Sequence, residues 1–493
     1  MSAQDLAAIL PLIAVAATCV ALILLLCFGR SHKAALAITL TGLAAACAGI
    51  GPAWRLAPRA VTPLLVVDHY ALFFTGLVLG AGAVVALLSY GWLELHEGKR
   101  EELYILLAVA LTGAVTLVSS SHFASFFLGV ELLSVSFYAL AGYQRSSPRG
   151  IEAGIKYLIL GGTSSAFLVF GMALVYAQTG TMHLPEVVAR AAGDSPLALA
   201  GFGMIVVGIG YKLALAPFHQ WAPDVYEGAP APVAAFVATV AKGAVFALLL
   251  RYFTPVVQAH AAAWTLFAVL AALSMLAGNL LALLQNNLKR ILAYSSIAHM
   301  GYALVAFLAV GPVAPVAPVA PVAPVAPVAP AAVPAAAFYF VSYFIAVLGG
   351  FGVISVLSGP SRDADALDDY RGLAWRRPWL AGVMTATMLS LAGIPLTVGF
   401  VGKFYLVYAG VRSDLWTLAV ILVVTSVIGL FYYLRVIVAV FRTPEEGRMA
   451  KDVGPARCPA TGLVALAALS VLLFWFGVYP GPMIHMVQAL TPP

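Results

Sequence analysis

Runs of about 20 apolar residues, the length that crosses a hydrocarbon core, alternate along this chain with short polar connections. Fourteen such runs are predicted as helical spans: 6–29, 34–52, 70–92, 103–119, 122–143, 153–177, 199–221, 231–251, 262–284, 290–310, 336–357, 379–409, 414–441 and 461–487. The pattern describes an all-α polytopic membrane protein forming one membrane domain over 1–493. Longer connections fall near 179–198, 311–335, 358–378 and 442–460. Two runs look broken. Run 199–221 holds Pro217, and run 379–409 is too long for one straight crossing and holds Gly393-Ile394-Pro395. Inside a membrane such breaks persist where protein or a water-filled cavity satisfies the freed backbone groups.

Composition agrees with the pattern. The 493 residues are 62% hydrophobic and 9% charged, against about 25% charged in soluble domains. The net charge of +6 reflects loop arginines and lysines, so no nucleic-acid partner is read from it. With the termini placed outside, the inside loops hold 17 cations and the outside loops (Arg55, Arg59, Arg190, Arg251, Arg412) hold 5. The positive-inside rule then places both termini in the periplasm. The first run follows Asp5 with no basic segment before it, and reads as a membrane helix rather than a cleaved signal. Cys19, Cys27, Cys47 and Cys458 form no Cys-x-x-Cys or Cys/His cluster, so no metal, haem or iron–sulfur site is expected. Residues 312–330, six Pro-Val-Ala triplets and Pro330, forbid a helix interior and favour polyproline II. They read as an expansion tolerated in a surface loop.

The chemistry lies in charges placed inside apolar runs. Lys212, Lys242 and Lys403 sit within three of them, and Glu131 sits near the centre of a fourth. A charge at the bilayer midplane costs at least about 2.5–3.5 kcal/mol on insertion scales, so such groups face a polar interior and mark ion or proton pathways. Lysine suits proton exchange, whereas arginine stays charged. The chain has 18 arginines and 8 lysines, yet lysine takes these positions. A carboxylate approaching an ammonium stabilises it by about 4 kcal/mol at an effective dielectric near 20. Movement of Glu131 relative to Lys212 would therefore switch that lysine between holding and releasing a proton. A structural helix–helix ion pair is the competing role for Glu131.

Other polar residues are weighed more plainly. Lys156 and Lys289 can snorkel from helix ends. His219 (PFHQW) and His299 (YSSIAHMGY) are candidates for a proton wire, with structural hydrogen bonding as the alternative. Asp224 and Glu227 in WAPDVYEGAPAP read as a rigid inside turn, and Arg435 as interfacial. GFVGKF lacks Walker spacing.

Four segments carry a family resemblance: GVELLSVSFYALAGY (129–143), YKLALAPFHQWAPDVYEGAPAPVAAFVATVAK (211–242), NNLKRILAYSSIAHMGY (286–302) and AGIPLTVGFVGKFYLV (392–407). Over nearly the whole chain outside 312–330 the sequence resembles the antiporter-like membrane subunits of bacterial NADH–quinone oxidoreductase (respiratory complex I). Lysine in the eighth and twelfth spans, and the lack of a long C-terminal lateral helix, favour subunit N among them. The resemblance implies a proton-translocating subunit of an inner-membrane translocase, driven by quinone reduction elsewhere in the complex. It implies three N-terminal helices (1–100) and two inverted five-helix repeats, helices 4–8 (101–252) and 9–13 (260–441). Helices 7 and 12 are broken, and a C-terminal loop and helix (442–493) follow. It makes Glu131 the modulator of Lys212, Lys242 the central relay and Lys403 the terminal lysine. It implies sister antiporter-like subunits as partners. NADH, FMN, iron–sulfur clusters and quinone would be used by other subunits, with no cofactor bound here. An Mrp-type Na⁺/H⁺ antiporter subunit and a structural scaffold stand as alternatives.

Overall fold

The computed structural model describes residues 1–96, 98–190, 195–309, 332–443 and 458–490. The Pro-Val-Ala tract lies outside the described residues. Among the described residues, thirteen helices are long and apolar enough to cross a membrane. Leu10–Phe28, His32–Leu56 and His69–Leu95 come first, then Glu101–Val118, Phe123–Ala141, Pro148–Thr179, Pro196–Leu213 and Ala231–Ala259. Ala261–Leu283, Leu288–Leu308, Ala332–Leu357, Trp416–Phe441 and Ala460–Val478 complete them. The run 379–409 is two shorter helices, Pro378–Ala392 and Val398–Arg412. The run 199–221 also divides. Its helix stops at Leu213, Ala214 turns left-handed (φ 55°), and a short helix resumes over Trp221–Gly228. The run 461–487 splits at Tyr479 and Pro480 into Ala460–Val478 and Gly481–Gln488. A small hairpin, Arg59–Thr62 with Leu65–Val67, was not foreseen in an all-helical reading.

Polar starts define many of these helices. Asp68, Ser147 and Asn287 accept the backbone N–H of Ala71, Gly150 and Arg290 at 2.7, 3.2 and 3.1 Å. Close packing uses small residues, as in other membrane bundles. A Cβ on Gly171 would lie 2.6 Å from the Gly201 carbonyl, so the Pro148–Thr179 and Pro196–Leu213 helices meet backbone to backbone.

The innermost helices are Ala231–Ala259, Leu288–Leu308 and Ala332–Leu357, and every residue of the last is buried. These are the helices that carry Lys242, His299, Tyr302, Tyr339 and Tyr343.

Side-chain pairs tie the connections together. At one end Arg30 meets Glu102 (2.9 Å), Lys156 meets Asp224 (2.6 Å), Arg290 meets Asp224 and Glu227 (2.7 and 2.9 Å), and Arg377 meets Cys458 Sγ (2.7 Å). At the other end Arg59 pairs with Asp5 (2.6 Å), Phe123 N–H donates to Met182 O (2.9 Å), and Ser413 donates to Ala309 O. Asp224 and Glu227 are thus members of an ion network on the Trp221–Gly228 helix rather than a bare turn. Arg251, counted from sequence as a loop cation, is instead buried within Ala231–Ala259. There it pairs with Asp68 at 2.5 Å and lies 4.7 Å over the Tyr70 ring. Arg435 donates to Leu283 O and Gln285 O at the close of a neighbouring helix, which favours a cation at a helix C-terminus.

Candidate functional site

Lys212 occupies the last turn of its helix and is 7% exposed. Its Nζ donates to Ser134 Oγ at 2.6 Å and lies 5.5 and 5.7 Å from the Tyr211 and Tyr157 ring centroids. Ser134 is one turn from Glu131 on the Phe123–Ala141 helix. Glu131 does not pair directly with Lys212; its Oε1 accepts the Ser165 hydroxyl at 2.5 Å. The carboxylate and the ammonium thus each bond a different serine. A cavity of about 10 Å³, near the size of one water, touches Ser134, Lys212, Tyr157, Ala241 and Val245. The last two flank Lys242.

Lys242 is fully buried. It follows a π-helical turn, Val237–Ala241, a feature frequent at functional sites. Its Nζ donates to Ser296 Oγ at 2.5 Å. The Tyr343 hydroxyl reaches the same Oγ at 2.8 Å and the Ala238 carbonyl at 3.0 Å. One turn along from Ser296, His299 Nδ1 meets the Tyr339 hydroxyl at 2.7 Å and Nε2 meets the Tyr433 hydroxyl at 3.3 Å. Tyr433 in turn meets Ser295 Oγ at 2.5 Å.

Lys403 folds back across the second break. Its Nζ donates to the Ala392 carbonyl at 3.1 Å, at the C-terminus of Pro378–Ala392, and lies 5.2 Å from the Tyr302 ring centroid. Gly393 makes this possible. Its φ is +86°, and a Cβ there would sit 2.9 Å from Lys403 Cδ. A second cavity of about 10 Å³ is lined by both His299 and Lys403, with Tyr339, Ser342, Tyr343 and Ser390. Each break thus sets a lysine against a helix C-terminus, where the helix dipole favours positive charge.

The sequence-predicted residues fall into three groups. Lys242 and His299 share one polar neighbourhood, Lys403 shares a cavity with His299, and Lys212 bonds Ser134, one turn from Glu131 on the neighbouring helix. His219 is not brought into these groups by a hydrogen bond; its Nδ1 is buried without a partner. Sequence reasoning missed Ser134, Ser165, Ser296, Tyr339, Tyr343 and Tyr433. The available signal was spacing: Ser295, His299 and Tyr302 recur at helical intervals in an otherwise apolar run.

The four lysines of the buried set differ in one respect. Lys289, 2% exposed, donates to the Asp363 carboxylate at 2.8 Å and to Ala229 O at 2.7 Å, so it is a paired structural cation rather than a snorkelling one. Among the described residues, Lys212, Lys242 and Lys403 donate to hydroxyl or carbonyl oxygens. Among the described residues, no group of three or more His, Cys, Asp and Glu could hold a metal ion.

A family model described as "NADH:quinone oxidoreductase/Mrp antiporter, TM" matches residues 120–316 and 325–429. A relative named NADH-quinone oxidoreductase subunit N, from Ectopseudomonas mendocina, is 45% identical over 99% of this chain and 97% of its own length. The chain belongs to the NADH-quinone oxidoreductase subunit N family. Another subunit N relative, from Methylococcus capsulatus, is also 45% identical, over 100% of this chain and 97% of its own. Among solved structures, a chain of respiratory complex I from Thermus thermophilus with bound aureothin is 34% identical. It covers 96% of this chain and 98% of its own, with a TM-score of 0.79. A chain of the Mrp complex from Dietzia sp. aligns with a TM-score of 0.82 at 20% identity, covering 100% and 97%. That likeness shows the fold alone. The family match is interrupted between 316 and 325, inside the Pro-Val-Ala tract, so this family's pattern is present on both sides of the interruption.

Proposed function

We propose that this chain moves protons across the membrane as the antiporter-like subunit N of a bacterial NADH–quinone oxidoreductase, coupled to quinone reduction elsewhere in that complex. One observation carries the reading: Lys212, Lys242 and Lys403 are buried with neutral oxygen partners, whereas the buried cations Lys289 and Arg251 have carboxylates. A carboxylate locks a buried cation in its charged form. A hydroxyl or carbonyl leaves a lysine free to give up and regain a proton.

In this reading Glu131 modulates Lys212, Lys242 is the central relay, His299 links it to Lys403, and Lys403 is terminal. His219 is assigned a lesser part. The broken pair Pro378–Ala392 and Val398–Arg412 counts as a fourteenth crossing. The inverted repeats over 101–252 and 260–441 are favoured by the position of the breaks, each in the fourth member of its set of five. The end rich in arginine and lysine is assigned to the cytoplasm and the termini to the periplasm of the inner membrane. Sister antiporter-like subunits would be its neighbours, and the NADH, FMN, iron–sulfur and quinone sites would belong to other subunits.

The test is NADH-driven acidification of inverted vesicles bearing equal amounts of assembled complex, with Lys212→Ala or Lys242→Met. Acidification falls together with NADH oxidation if the path runs through this chain. Normal acidification with normal electron transfer would return the lysines to a scaffold role. Acidification that depends on added Na⁺ would favour the antiporter alternative.

A further inference from the structure

Asn279, fully buried on the Ala261–Leu283 helix, takes no part in the lysine and histidine contacts described above. Its amide is nonetheless fully engaged. Nδ2 donates to Met275 O and to the Tyr302 hydroxyl, each at 2.8 Å, and Oδ1 accepts the Tyr432 hydroxyl at 3.1 Å. A carbonyl such as Met275 O takes only a donor, which fixes the orientation of the amide. Three glycines clear the space around it. A Cβ on Gly278 would lie 2.5 Å from Ala298 N, and one on Gly301 2.8 Å from Ala271 O, so the Ala261–Leu283 and Leu288–Leu308 helices meet backbone to backbone. A Cβ on Gly429, in the Trp416–Phe441 helix, would lie 2.8 Å from Asn279 Oδ1 itself. Hydroxyls from two other helices thus close on one amide.

What the amide holds is the Tyr302 ring. That ring's centroid lies 5.2 Å from Lys403 Nζ and 5.4 Å from the centroid of His299, edge to face. Tyr302 therefore stands beside both His299 and Lys403, and an aromatic face favours an ammonium over an amine. The other titratable groups lining the cavity those two share are Tyr339 and Tyr343. Removing the amide leaves the buried Tyr302 hydroxyl without its donor, and the side chain must move to find another partner. We infer that Asn279 is a positioning residue for proton transfer at Lys403, holding Tyr302 so that its ring face stays against the ammonium. The inference rests on the proton path proposed above and adds to it a residue from the Ala261–Leu283 helix.

The test records NADH oxidation and vesicle acidification across about pH 6–9, at equal assembled complex, for Asn279→Leu, Tyr302→Phe, Gly429→Ala and Lys403→Met. Asn279→Leu should lower both rates and move the alkaline limb of the profile down by about half a pH unit, the loss of one ring–cation contact. Tyr302→Phe keeps the ring but frees it, and should match Asn279→Leu, with the double variant no worse than either. Gly429→Ala keeps the amide but crowds its oxygen. It should shift the profile the same way to a lesser degree, and it carries the test if Asn279→Leu does not assemble. A residue that only fastened three helices together would lower thermal stability or the amount of complex and leave the profile per assembled complex unchanged; that result overturns the inference. A native profile in Tyr302→Phe overturns it too. Native rates in Lys403→Met would remove the proton path itself, and the inference with it. Reduced rates in Lys403→Met beside a native profile in Asn279→Leu would remove Asn279 alone.

Discussion

Lys242 and Tyr343 converge on a single oxygen, Ser296 Oγ, from two different helices. The tyrosine has one proton and two acceptors in reach, Ser296 Oγ and Ala238 O. Its hydroxyl can therefore turn toward the lysine's partner or away from it, and Ser296 is the pivot of that choice.

Ser296→Ala removes the hydroxyl to which the Lys242 ammonium donates. A hydrogen bond to a charged group contributes about 1.5–3 kcal/mol, so vesicle acidification and NADH oxidation should fall clearly together. Tyr343→Phe leaves Ser296 in place and should cost less. Rates for both variants at equal assembled complex check the order; a larger loss in Tyr343→Phe would remove Ser296 from its central place.

Lys212 bonds Ser134, and Glu131, one turn from Ser134, bonds Ser165 rather than the lysine. A double-mutant cycle of Glu131→Gln and Lys212→Ala on acidification rate should therefore give a coupling of about 0.5–3 kcal/mol. Ser165→Ala, which releases the carboxylate, should change the rate less than Glu131→Gln. Strictly additive effects would mean that the two groups work independently.

Asp363→Asn breaks a buried pair and leaves the Lys289 ammonium without its carboxylate. Such a change destabilises by about 3–5 kcal/mol, and replacing Lys289 by Met in the same chain should recover much of it. Thermal unfolding of the purified complex reads both. Burial alone would raise the Asp363 carboxyl, but Lys289 outweighs it and holds the group below the ordinary 3.8. A depressed folded-state value contributes stability that is fully present above pH 3.8 and lost as pH falls through the lower value. The Asp363→Asn deficit should thus be constant from pH 5 to 8, measured at the same salt.

Gly393→Ala places a Cβ at φ +86° and 2.9 Å from Lys403 Cδ. Backbone strain of this kind costs on the order of 1–3 kcal/mol, and the added methyl pushes the lysine away from Ala392 O. Reduced acidification with NADH oxidation still present in assembled complex is expected. Gly382→Ala, with open space around its Cβ, serves as the control.

The spans and both breaks were legible because apolar runs, proline and glycine act locally. The lysines were legible because a charge in such a run is costly wherever it points. Their partners were not. Serine and tyrosine are common in membrane helices, and nothing in the run around Ser134 or Tyr343 says which faces a lysine 78 or 101 residues away. Arg251 was misplaced for a related reason. A helix end was drawn at the first cation, whereas Asp68, 183 residues earlier, makes that cation acceptable inside. The π-helical turn before Lys242 leaves no mark in composition.

The Ala332–Leu357 helix, buried along its whole length, bears on how the chain is made. On leaving the ribosome it meets lipid on every side, yet in the finished protein it meets none. Lipid tails are as apolar as leucine, so this exchange gains little from the hydrophobic effect and depends on close packing and hydrogen bonds between helices. The helix that carries Tyr339 and Tyr343 can reach its final surroundings only once later-synthesised helices close around it. The cluster of Lys242, Ser296 and Tyr343 would then be among the last parts of the molecule to form.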